Sequence, residues 1–240
     1  MNKELKKQIK HDELRDGLGQ AAGWIDTHRD EVRMGAIAIA VVLLAAIGFG
    51  SWRSHRAASA EKAFDQAITI FHSPVAGDPE ALQVGETVYP SRSEKYAKAA
   101  AAFDEIVKQH GSTSVGARAR YYAALSRIEM GQTQAAEAEL AKLSSDGDAL
   151  VKGLARLALA DLHRGAGRWD QAIEGYRKII DDSGSTVPRD HALMRLAGTL
   201  EDARRAPDAL ASYRRLVEEF PSSVYVAEAR RRADVLSGKA

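Results

Sequence analysis

The sequence predicts an all-α protein: an N-terminal transmembrane helix, then an α-solenoid of helix-turn-helix pairs, then a C-terminal capping helix. Three observations predict it. Aromatic residues are only 6% and prolines only six in 240 residues, with Ala supplying much of a 45% hydrophobic fraction. Ala is the best helix former and Pro the worst, so this composition leans to helix. Residues 34–52 carry no charge. A pattern of small, large and aliphatic residues returns four times at a near-constant interval, which is how stacked repeats look in sequence.

The span comes first. It reads MGAIAIAVVLLAAIGFGSW between Arg33 and Arg53. Nineteen residues at 1.5 Å rise make about 28 Å, close to the roughly 30 Å hydrocarbon core of a bilayer. The stretch is apolar all round, long for a buried core helix, and Trp52 stands where an interfacial aromatic belongs. The leader, residues 1–33, carries Lys3, Lys6, Lys7, Lys10, Arg15, Arg29 and Arg33. Close to the membrane the two flanks tie in Lys and Arg, so the distal lysines decide a cytoplasmic N-terminus and a periplasmic C-terminal domain. Ala58-Ser59-Ala60 has the form of a cleavage site, but Arg53, His55 and Arg56 intervene and the leader is long. An uncleaved signal anchor is the reading that fits. Leu5, Ile9, Leu14, Leu18, Ala22 and Ile25 make a ragged apolar stripe in the leader. It reads equally as an amphipathic helix on the membrane or a partner, or as a solvated tail.

The remaining chain, 57–240, is predicted as the solenoid. Its four repeat segments are Ala99/Phe103/Ile106, Ala136/Leu140/Leu143, Ala172/Tyr176/Ile179 and Ala209/Tyr213/Leu216, with the alanines 37, 36 and 37 apart. Spacings of four and three place each trio on one helix face. Helices ending near Gly131 and Gly167 precede the second and third trios, each Gly suiting the left-handed end of a helix. Arg204 stands where the last copy would have Gly, so that turn is expected to be looser or differently built, with Pro207 opening the next helix. The first trio pairs with residues 57–73 across an insertion at 74–93 that holds Pro74, Gly77, Pro79, Gly85 and Pro90. After Pro221, residues 224–236 place Val226, Ala229, Ala233 and Leu236 on one side, as a capping helix does. Arg230, Arg231 and Arg232 read as a solvated face.

At these residues the chain resembles the tetratricopeptide-repeat family. Leu159, Ala160, Gly167, Ala172, Tyr176 and Ile179 follow its pattern, with His163 in place of a Tyr, and so do Leu196, Ala197, Ala209, Tyr213, Leu216 and Pro221. The copy around Gly131 is degenerate. The resemblance implies a groove lined by the first helix of each pair, and places Tyr121, Leu125, Leu157, Asp161, Met194 and Arg195 in it. Each of the six, taken singly, fits the core equally well. Such a groove suits extended or amphipathic polypeptide. The carboxylate clamp of some relatives is excluded, because Tyr121, Leu157 and Met194 stand where it would have Lys, and Asn2 is the only Asn.

Little points to chemistry. With no Cys there is no disulfide scaffold, thiol nucleophile or Cys-based metal site, and the seven His are scattered. No Gly-rich phosphate loop and no G-x-S-x-G occur. Asp161 and His163 lie two apart on one helix, so they do not share a face. A formal charge of +1 and a pI near 8.0 argue against a nucleic-acid binder. The expectation is therefore no enzyme, no cofactor, no metal and no small-molecule substrate.

Taken whole, the leader, anchor and degenerate solenoid resemble the bacterial inner-membrane family typified by YfgM, an ancillary component of the SecYEG translocon. The likeness rests on architecture and on the segment WRSHRAASA at 52–60. It implies a non-enzymatic scaffold whose partners are translocon subunits, periplasmic chaperones and client polypeptides. The second reading is an envelope-assembly scaffold that binds folded cell-wall or outer-membrane machinery.

Overall fold

The structure is a computed structural model that describes Trp24 and residues 27–78, 87–146 and 148–238. The leader stripe from Leu5 to Ile25 lies outside the described residues, as does the middle of the insertion. Among the described residues there are nine helices: α1 (Arg29–His72), α2 (Arg92–His110), α3 (Ser114–Glu129), α4 (Thr133–Asp146), α5 (Ala149–Gly165), α6 (Trp169–Asp181), α7 (Arg189–Asp202), α8 (Ala206–Glu219) and α9 (Val226–Leu236). The chain divides into two compact units, Met1–Ala58 and Ser59–Ala240.

In the first unit, α1 carries the uncharged stretch read from the sequence. Ile37, Val41, Leu44, Ile47 and Phe49 are all exposed. A core helix would bury such residues; this one is long and apolar enough to cross a bilayer and leaves its most apolar window uncovered. Trp52 packs on Phe49, and the Arg56 guanidinium lies 5.3 Å from the Trp52 ring centroid.

In the second unit, helices pack on their neighbours in sequence, with α3 also touching α5, the quasi-one-dimensional pattern of a solenoid. The four repeat trios are its spine. Ala99, Ala136, Ala172 and Ala209 are all fully buried, and so are their large partners Phe103, Leu140 and Tyr176, with Tyr213 nearly so. Ile106, Leu143, Ile179 and Leu216 close each layer. The C-terminal part of α1 is the partner of α2, as the pairing with residues 57–73 predicts. Ala60, Phe64 and Ala67 are buried with Ala99 and Phe103, and Phe64 and Phe71 meet Phe103, Tyr96 and Tyr122 in one aromatic cluster. Helix starts follow capping chemistry. The side chains of Ser91, Thr113 and Asp148 accept from the backbone N–H of Glu94, Gly116 and Val151 at 3.2, 3.1 and 3.0 Å.

The turn at Arg204 departs from expectation. It is built like the others, not looser. Gly131, Gly167 and Arg204 have φ of 75°, 70° and 58°. In each, the left-handed residue and its successor return the same pair of backbone bonds: Gly131 and Gln132 to Ile128 and Arg127, Gly167 and Arg168 to Arg164 and His163, Arg204 and Arg205 to Glu201 and Leu200. The stack fixes where the next helix must start, and closing the backbone bonds overrides the side chain's aversion to that conformation. Pro207 follows in the first turn of α8.

The insertion has a closed neck. Ala76 N–H donates to Tyr89 O at 2.8 Å and Tyr89 N–H to Pro74 O at 3.0 Å, with Val75 and Tyr89 both buried. Lys95, itself buried, donates from Nζ to Ser73 O at 2.9 Å. At the other end α9 caps the stack through Ala229 and Ala233, with Val226 and Leu236 against the same cluster. The basic run on α9 is not uniformly solvated: Arg232 turns back to bond Glu201 of α7. Its partner lies 31 residues away, so no local pattern announces the pair.

Candidate binding groove

Helices α3, α5 and α7 lie side by side as the first helices of their pairs, and three clefts run across them. The first, about 620 Å³, is walled by Tyr121, Leu125 and Ile128 of α3 and by Leu157, Ala158, Asp161 and Leu162 of α5. Thr133, Gln134 and Glu137 of α4 and Arg168 at the start of α6 close its rim. A second cleft holds Asp161, Arg164, Gly165, Trp169, Arg195 and Asp202. A third, about 500 Å³, contains Met194, Arg195 and Gly198 of α7 under Tyr225. Asp161 and Gly165 belong to both the first and second, and Arg164, Arg195 and Asp202 to both the second and third. The clefts are therefore one continuous groove, apolar towards α3 and charged towards α9.

The charged residues are mostly occupied with each other. Glu137 accepts two bonds from Arg168, at 2.8 and 2.7 Å, and faces His163 Nε2 at 3.2 Å. The Arg168 bonds hold the Glu137 carboxyl below the usual range, against the opposing pull of burial. His163, read as a packing substitute for Tyr, is thus also a polar link to α4. Asp161 accepts from the buried Tyr176 hydroxyl at 2.5 Å. Burial first, then that bond, pushes the Tyr176 phenol well above its ordinary value. Tyr121 is pushed up to about 12, mainly by burial, with Tyr122 and the Asp161 charge adding. Arg164 donates to Asp202 at 2.8 Å and lies against Gly198, where a Cβ would meet its guanidinium at 3.3 Å.

Four of the six residues placed in the groove by sequence, Tyr121, Leu125, Leu157 and Asp161, line the first cleft together. Met194 lies in the third cleft and also packs on the core, while Arg195 reaches back towards Asp161. Ile128 and Leu162 were missed. Ile128 follows Leu125 by about one helical turn and was within reach of the pattern, whereas Leu162 lies five residues after Leu157 and one after Asp161, off the face they define. Glu137 and Arg168 come from helices outside the first-helix set, and only the folded pairing reveals them. No group of His, Asp and Glu suited to a metal occurs among the described residues.

A family profile described as tetratricopeptide repeat-like domain matches residues 23–184, and one described as tetratricopeptide repeat matches residues 157–224. The chain belongs to the tetratricopeptide-repeat family. Domains of this family are typically non-catalytic and bind other proteins. Among curated proteins none matches the chain.

Proposed function

We propose that this tetratricopeptide-repeat protein is a membrane-anchored interaction scaffold whose groove holds extended polypeptide. The observation that carries this is the continuity of the three clefts through shared walls at Asp161, Gly165, Arg164, Arg195 and Asp202. A continuous trough several helices long suits a strand, rising about 3.3 Å per residue, better than a compact ligand. The uncovered apolar helix supports tethering at a membrane, and the first family match runs over that helix and the repeats alike.

In the finer reading, the anchor sits in a bacterial inner membrane with its N-terminus in the cytoplasm and the solenoid in the periplasm. There the protein links the Sec translocon to periplasmic chaperones and emerging clients. Tethering raises the groove's effective concentration at the exit, so weak contacts suffice. In-cell crosslinking, detergent solubilisation and capture through a C-terminal tag test it. Enrichment of translocon subunits and periplasmic chaperones is expected. Enrichment of cell-wall or outer-membrane machinery without the translocon would replace the adaptor with the envelope-assembly scaffold.

A further inference from the structure

We infer that the groove selects an extended segment carrying a large apolar side chain two residues from an acidic one. This rests on the groove reading above and adds what the groove recognises. The apolar requirement comes from the first cleft, where Tyr121, Leu125, Ile128, Leu157 and Leu162 surround space for a Leu- or Phe-sized group. The acidic requirement comes from Arg195. The groove's other guanidiniums each hold a close ion pair: Arg168 with Glu137 through both terminal nitrogens, although its Nε is also buried with no acceptor, Arg164 with Asp202, and Arg232 with Glu201. Arg195 makes a single long contact, 3.5 Å to Asp161, and its Nε is buried with no acceptor. Its side chain is 41% exposed in the groove. A guanidinium presents five donors, so most of those on Arg195 are unspent. Asp161 loses little if Arg195 turns to a ligand, because Tyr176 holds its other oxygen.

Asp161 walls both the first cleft and the second, which Arg195 lines, so Asp161 is what stands between an anchor in the first cleft and the Arg195 guanidinium 3.5 Å from it. In an extended strand residues i and i+2 face the same side, about 6.6 Å apart. A carboxylate at that spacing meets Arg195 while the apolar side chain fills the cleft. The carboxylate here belongs to a side chain within the segment, and a single Arg reads it.

The test uses the full chain in lipid nanodiscs, with empty nanodiscs subtracted, and labelled nonapeptides in a Gly/Ser background followed by fluorescence anisotropy. One peptide carries Phe and Asp two positions apart, a second has Asn for Asp, and a third has Ser for Phe. The Phe/Asp peptide, in one order or the other, should bind at least fivefold tighter than Phe/Asn, as a charge-assisted bond does over a neutral one. Arg195→Gln should erase that difference, so that Phe/Asp and Phe/Asn bind the variant equally. Arg195→Lys should keep part of it. Equal affinity for Phe/Asp and Phe/Asn on the unaltered chain would overturn the inference, as would a preference that survives Arg195→Gln. If Phe/Asn binds but charge is irrelevant, the groove reading stands alone. If no peptide binds, both fall.

Discussion

Arg204→Gly should make the protein more stable. Arg204 sits at φ 58° and repeats the backbone bonding of Gly131 and Gly167. For a residue with a Cβ that conformation costs roughly 1–2 kcal/mol. Glycine removes the cost but gives the unfolded chain more freedom, worth about 0.4–1 kcal/mol against folding. The Arg204 side chain is exposed, and no ion pair holds it among the described residues, so nothing is lost with it. Central values of the two terms leave a net gain of about 0.8 kcal/mol, or roughly 2–3 °C in Tm for a chain of this size. Thermal melts of the full chain in detergent would measure it. Gly167→Ala is the matched control and should lower Tm. A neutral or lower Tm for Arg204→Gly, with Gly167→Ala behaving as stated, would refute the account of the turn.

Three further outcomes follow from the same geometry. Leu140→Ala truncates the more deeply buried of the two leucines among the only three buried residues on α4, Ala136, Leu140 and Leu143, and should cost about 2.7–5 kcal/mol, with hydrogen exchange rising first across α4. Gly175→Ala should destabilise by about 1–2 kcal/mol despite Ala's better helix propensity, because a Cβ there lies 2.9 Å from the Ala160 Cβ; denaturant titration reads the sign. Stability should also fall in alkali. The Tyr176 and Tyr121 phenols have raised pKa values in the fold, so their contribution is whole below the unfolded value near 10. It is lost as pH rises from there through the folded values, since the unfolded chain releases its protons first. Stability measured between pH 9 and 12 should show this loss, and Tyr176→Phe should make it shallower; an unchanged slope would contradict the burial of that phenol.

How far the sequence could be read depends on where each signal lives. The repeat trios were legible because three residues within one helix suffice to define a buried face, and all four faces are buried as spaced. The apolar run of α1 was legible for the same reason: the signal is contiguous. The Arg204 turn was not, because local preference argues against a left-handed Arg and only the demand of the stack requires it. The groove's pairings were also hidden. Tyr176 and Asp161 are 15 residues apart, Arg168 and Glu137 are 31 apart, and Arg232 and Glu201 are 31 apart. Such partners are set by which helix lies across which, and no periodicity within one helix carries that information.

The pinched neck at Val75 and Tyr89 makes the insertion a natural graft point. The backbone leaves the stack at Pro74 and returns at Tyr89 through paired bonds, so the solenoid experiences one fixed doorway, whatever length of chain lies beyond it. Doubling a loop held at fixed ends costs only about 0.6 kcal/mol. A fluorescent reporter, epitope or small folded module could be spliced between residues 78 and 87 and leave helix registry on both sides intact. The same tolerance gives evolution a cheap place to change what this scaffold displays while leaving the repeats untouched.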